Sequence, residues 1–223
     1  MVQPNNWYAA PLDLMISGID SANTEITKCT TSLQLISPLV LTWPRTGQNS
    51  YVPDIFPTMT RFDLLGQGKR VQTGWLGGRA AFLALDRNNN GKIDDGRELF
   101  GDATPLIFEK PYMDKNGFNA LALYDHNNDQ KIDAKDPVFS QLRLWLDDNS
   151  DGVSDPWELN TLPSLEVQSI SLRYKKVINE PESSSLLTRF VYEATFHGPA
   201  ECGSRGCIVY DVYFSTPLVA GNP

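Results

Sequence analysis

The chain has 223 residues, 41% hydrophobic and 10% aromatic. That is enough apolar surface for one large domain, or one domain with extensions, and too much for a disordered polymer. Its 27 Asp+Glu against 19 Lys+Arg give a net charge of −8 without any basic run, which argues against nucleic acid as a partner; no apolar stretch reaches the ~18 residues of a membrane span.

Three textures follow one another along the chain. Residues 1–36 form a polar N-terminal extension in which ITKCTTSLQLIS has the β-branched content of a strand. The N-terminus lacks the charged and apolar regions of a secretion signal, leaving cytoplasmic residence, a mature secreted chain or another export route open. Cys29 has no obvious mate and reads as a free thiol.

Residues 37–175 hold the acidic clusters. ALDRNNNGKIDDG (84–96), LYDHNNDQKIDAK (123–135) and WLDDNSDGVSD (145–155) repeat one pattern. Alternate oxygen-bearing side chains at positions 1, 3 and 5, a turn glycine at 6, a backbone carbonyl at 7 and a closing carboxylate at 12 surround a hard cation with six to eight oxygens. The opening loop offers Asp86, Asn88, Asn90, the Lys92 carbonyl and Asp94. Its position 12 is Arg97, so Glu98, one step late, is the candidate closing ligand. The second loop offers Asp125, Asn127, Asp129, the Lys131 carbonyl, Asp133 and Asp136, with Gln130 in place of the glycine. That exchange should strain the turn or weaken the site. The third offers Asp147, Asn149, Asp151, the Val153 carbonyl and Glu158, with Ser154 where an apolar anchor is usual. Calcium in about three sites is the cofactor expected; magnesium resists an all-protein oxygen cage.

GRAAFLAL, GFNALALY and FSQLRLWL precede the loops. The first two read as short helices and the alternating third as a strand. GRELFGD and DPWELNTL read as one- or two-turn helices. Trp75 and Trp145 are assigned to core packing. Residues 176–223 form a C-terminal region in which TRFVYEATFHG and CIVYDVYFSTP alternate as strands of a hairpin around ECGSRG. Cys202 and Cys207 fit a small disulfide loop at its tip, the alternative being two reduced thiols. His126 and His197 lack zinc-ligand spacing, and no nucleophile–base constellation is visible around Ser154 or Ser183–Ser185.

From Ser37 to Tyr174 the order of SPLVL, FDLLGQGKRVQTGWLGG, FLALDRNNNGKIDDGRELFGD, NGFNALALYDHNND and QLRLWLDDNSDGVSDPWELNTL resembles the calcium-binding modules of secreted bacterial RTX-type proteins, including the self-processing FrpC-like group. That resemblance implies secretion, calcium-dependent folding outside the cell and, in some members, calcium-triggered Asp-Pro cleavage through an aspartyl anhydride. The matching bond here is Ser37–Pro38, whose serine cannot form that anhydride, so self-cleavage is not expected. LTWPRTGQN and FDLLGQG stand where the family carries two further acidic loops. Asp136–Pro137 and Asp155–Pro156 lie inside calcium loops and read as parts of those loops, with Pro opening the next turn.

The resulting expectation is an α+β module of short helices and EF-hand-like calcium loops packed with antiparallel strands. It would be a non-catalytic, calcium-stabilised structural or adhesive module, extracellular or at the cell surface. A homo-oligomer or filament could form through N-terminal strands on a neighbour's sheet edge. A self-processing protein and a calcium sensor or buffer are the alternatives.

Overall fold

A computed structural model describes residues 12–13, 32–44, 54–105, 115–177 and 188–217. Cys29, Ser183–Ser185 and most of LTWPRTGQN lie outside them. The strands are β1 (Leu12–Asp13), β2 (Ser32–Ile36), β3 (Leu39–Thr42), β4 (Asp54–Phe62), β5 (Val71–Gly77) and β6 (Ala80–Leu85). The α-helix α1 (Gly117–Ala122) follows, then β7 (Lys131–Asp133), β8 (Leu142–Trp145), β9 (Leu159–Thr161), β10 (Ser169–Ser171) and β11 (Lys175–Lys176). The long pair β12 (Thr188–His197) and β13 (Cys207–Pro217) completes the order.

The α+β expectation is therefore corrected. The architecture is mainly antiparallel β, with one six-residue α-helix among the described residues. The main sheet runs β7-β10-β12-β13-β3-β6-β8-β9, with β2 beside β13, β1 beside β2 and β11 beside β12; β4 and β5 make a separate hairpin. GRAAFLAL is the strand β6, not a helix, whereas GFNALALY does contain α1. GRELFGD holds only a three-residue 3-10 turn, and DPWELNTL is a turn leading into β9. The loops are not in helix–loop–helix frames: strands β6 and β8 feed the first and third.

The physical reason lies in a sheet covered on both sides. All six residues of β6 are buried. Leu39, Leu41, Leu83, Leu142, Leu144 and Val209 pack on one face with Phe118, Leu121, Ile132 and Phe196. Val40, Phe82, Trp145, Val212 and Phe214 pack on the other with Phe62 and Trp75. A strand buried on both faces loses its polar alternation, and over a short apolar run it cannot be told from a helix by period. In the second face Trp75 lies 4.8 Å from Phe82, 5.3 Å from Phe62 and 5.5 Å from Trp145 between ring centroids, so both tryptophans are core residues.

The C-terminal hairpin forms as expected, β12 pairing with β13 from Thr188↔Phe214 to Phe196↔Cys207. Cys202 and Cys207 are joined by a disulfide at its tip, with Cα atoms 4.7 Å apart. The other edge of β13 is shared: Ile208–Asp211 pair with β3 and Phe214–Pro217 with β2. Ser37–Pro38 is the joint between those two strands, and Val212 N–H donates to the Pro38 carbonyl at 3.0 Å.

Candidate metal centre

Each acidic loop closes by the same hydrogen bonds. At position 1, one carboxylate oxygen accepts the N–H of position 5 and the other that of position 6. Asp86 takes Asn90 and Gly91 (3.2 and 2.7 Å), Asp125 takes Asp129 and Gln130 (3.2 and 2.9 Å), and Asp147 takes Asp151 and Gly152 (3.2 and 2.8 Å). At position 3 the carbonyls of Asn88, Asn127 and Asn149 each accept the position-5 N–H at 3.0 Å. The last carboxylate then bridges the N–H groups of positions 2 and 9. Asp136 accepts from His126 and Asp133 (2.8 and 3.0 Å), and Glu158 from Asp148 and Asp155 (3.1 and 3.2 Å).

Glu98 makes the same bridge, accepting from Arg87 at 3.0 Å and from Asp94 at 2.7 Å. The 3-10 turn Gly96–Glu98 carries it inward, while Arg97 turns away onto Asp95 at 2.6 Å. The opening loop thus closes through Glu98 despite its extra residue.

A fourth copy of the turn survives without its ligands. Asp63 accepts the N–H groups of Gln67 and Gly68 at 2.9 and 2.6 Å, with Leu65 at the third loop position counted from Asp63.

The loops are fastened to one another and to the core. Ser154, at the position where an apolar anchor was expected, is buried and clasps the backbone of Ile93, the anchor of the opening loop. Its hydroxyl accepts from Ile93 N–H at 2.7 Å and donates to Ile93 C=O at 3.2 Å. Ile132 instead pairs with Ile170 of β10. Trp75 Nε1 donates to Asp147 Oδ2 at 2.6 Å, and Trp145 Nε1 reaches Glu158 Oε2 at 3.4 Å. Arg70 donates to the carbonyls of Asp151 and Gly152 at 3.2 and 2.8 Å, and Thr60 to that of Ser150 at 2.8 Å. Neither indole contact was legible in the sequence.

The donor chemistry fits a hard cation only in part as the side chains stand. Every loop presents carboxylates, carboxamides and a backbone carbonyl, the oxygen set that calcium takes. Burial pushes the carboxyls of Glu98, Asp147 and Glu158 above the ordinary range, a strain that a cation would reverse. In the second loop Asp129 Oδ1 is buried with no partner. Yet among the described residues no three His, Cys, Asp or Glu side chains converge on a metal position. Asn88 and Asn90 turn their amide nitrogens onto Asp94 at 3.1 and 2.6 Å, so these carboxamides would have to rotate to offer oxygen. Asp133 is engaged by Lys131 Nζ at 2.7 Å, which draws its carboxyl below the usual range.

Gln130 takes the position-6 glycine's place in left-handed backbone, φ 65°. An L side chain there costs on the order of 1 kcal/mol. Gln130→Gly should therefore raise stability by about 0.5–1 kcal/mol in urea unfolding. Its side chain also accepts from Arg173 at 2.8 Å; an exposed bond of this kind offsets only part of the strain.

Comparison with known proteins places the chain in a family. Residues 55–196 match the SPM domain, and the chain belongs to that family. It is also 47% identical over 116 residues to the iron-regulated protein FrpA of Neisseria meningitidis serogroup C. That match covers 52% of this chain and 10% of the relative, so the chain corresponds to a small part of the longer protein. No helix among the described residues is long and apolar enough to cross a membrane.

Proposed function

We propose that this chain is a non-catalytic structural or adhesive module of the extracellular space or cell surface, set in its folded form by calcium in the three acidic loops. The observation that carries the reading is the common closure: in all three loops the first carboxylate gathers positions 5 and 6, and the last bridges positions 2 and 9. The likeness to FrpA supports an extracellular setting, and Ser37 in place of a carboxylate supports the absence of Asp-Pro self-cleavage.

Calcium titration by calorimetry should give about three equivalents per chain, and magnesium should not compete at equal concentration. Tryptophan emission should change in the same titration because Trp75 and Trp145 touch Asp147 and Glu158. Asp147→Asn should remove most of that change. An absence of heat and of any emission change would overturn the calcium reading. A shorter fragment on a denaturing gel after calcium addition would overturn the non-catalytic one.

A further inference from the structure

Away from the loops, a second set of acids meets at the Ser37–Pro38 joint. Asp211 of β13 is fully buried. One of its oxygens accepts from Gly117 N–H at 3.0 Å, while Oδ1 has no hydrogen-bond partner. Ser37 is also buried, and its hydroxyl donates to Asp102 Oδ1 at 3.2 Å. The same hydroxyl lies against the carboxyl of Asp211 and the phenol of Tyr213. The backbone is equally close-set. Asp102 N–H donates to the Ser37 carbonyl at 3.3 Å, and a Cβ on Gly101 would fall 1.5 Å from that carbonyl oxygen.

A carboxylate as fully buried as Asp211, with the charge of Asp102 acting on it, is disfavoured in its ionised form. Among the described residues neither forms an ion pair with Lys or Arg. Lys115 acts on Asp102 only through space, and Tyr213, itself beside Tyr192, gives Asp102 a hydrogen bond but no positive charge. A serine hydroxyl has one hydrogen, here given to Asp102, and free lone pairs. A proton on Asp211 would be donated to those lone pairs and would satisfy the orphaned carboxyl.

We propose that Asp211, Ser37 and Asp102 form a relay holding one shared proton, a latch that fastens the joint between β2 and β3 to β13, to the Gly101–Thr104 turn and to the start of α1. Burial first, and the charge of Asp102 second, push Asp211 up to about 8. Burial also raises Asp102, but hydrogen bonds from Ser37 and Tyr213 and the charge of Lys115 favour its ionised form, so the shared proton rests on Asp211. The folded chain then keeps a proton that the unfolded chain releases near pH 4. Stability on this account is greatest in acid, falls as pH rises toward about 8, and levels off above it.

The test is thermal melting of the whole chain from pH 5.5 to 9 at fixed calcium, for the wild type and for Asp211→Asn. The amide supplies permanently the donor that the protonated acid supplies only below its pKa. The wild-type Tm should fall across this range. The variant should show a flatter profile and melt several degrees above the wild type at pH 8.5. His126 and His197 are common to both and cancel in the difference. Parallel profiles would overturn the latch. Should Asp211→Asn fail to fold, carbon-13 titration of wild-type carboxyls decides: one midpoint near neutrality supports the relay, and none above pH 5.5 removes it.

Discussion

Adding millimolar calcium to the chelated protein should raise its Tm by roughly 15–30 °C, with magnesium giving a small part of that shift. One site at 100-fold excess over its dissociation constant contributes about 2.7 kcal/mol, so three contribute about 8; each kcal/mol moves a domain of this size by about 2–4 °C. The direction follows from the charge. Without a cation the loops keep several carboxylates close together, with Glu98, Asp147 and Glu158 already pushed upward by burial. The Ser154 clasp on Ile93 and the indole bonds to the third loop should transmit that stabilisation to the sheet, making the transition a single one. A Tm unchanged by calcium, measured by scanning calorimetry, would reduce the loops to acidic turns.

Replacing Glu158 by alanine should cost about 1–3 kcal/mol even in chelator. The side chain is buried and accepts from Asp148 N–H, Asp155 N–H and, at longer range, the indole of Trp145. A buried donor left without an acceptor costs about 1–3 kcal/mol. Here only the Trp145 indole is buried, while Asp148 is exposed and Asp155 half-buried, so water takes over part of the loss. Glu158→Gln keeps one acceptor oxygen but turns an amide toward the remaining donors, and should fall between alanine and the wild type. Urea unfolding in chelator isolates this structural part; calcium calorimetry should then show one equivalent missing from the alanine variant. A loss below about 0.5 kcal/mol, the level of an ordinary surface substitution, would mean that Glu158 closes nothing.

The loops were the legible part of this protein because their chemistry is local. Alternating Asp and Asn at 86, 88 and 90, with glycine at 91, specify the turn without help from distant residues, and Gln130 could be read in advance as a strained position, as its φ of 65° bears out. Glu98 could be nominated but not placed, since only the 3-10 turn at Gly96–Glu98 shows an extra residue absorbed while the carboxylate still reaches Arg87 and Asp94. Ser154 looked like a missing anchor because its partner, Ile93, is 61 residues away. Nor did YDVY show that Asp211 would be fully buried, a carboxyl on an otherwise apolar strand.

The fold class misled for a related reason. GRAAFLAL has the composition of a helix and becomes the strand β6 because the sheet is packed on both faces, which removes the alternation that would have marked it. Turn chemistry, the acidic loop repeats, the C-terminal hairpin and the cysteine pair at its tip could all be read from the chain, because each depends on residues a few positions apart. Tertiary structure alone decided which apolar runs became strands, how the loops are tied to each other and to the tryptophan core, and that Ser37, Asp102 and Asp211 meet. Those outcomes depend on burial and on contacts across the chain, and no local pattern encodes where a segment will find its covering partner.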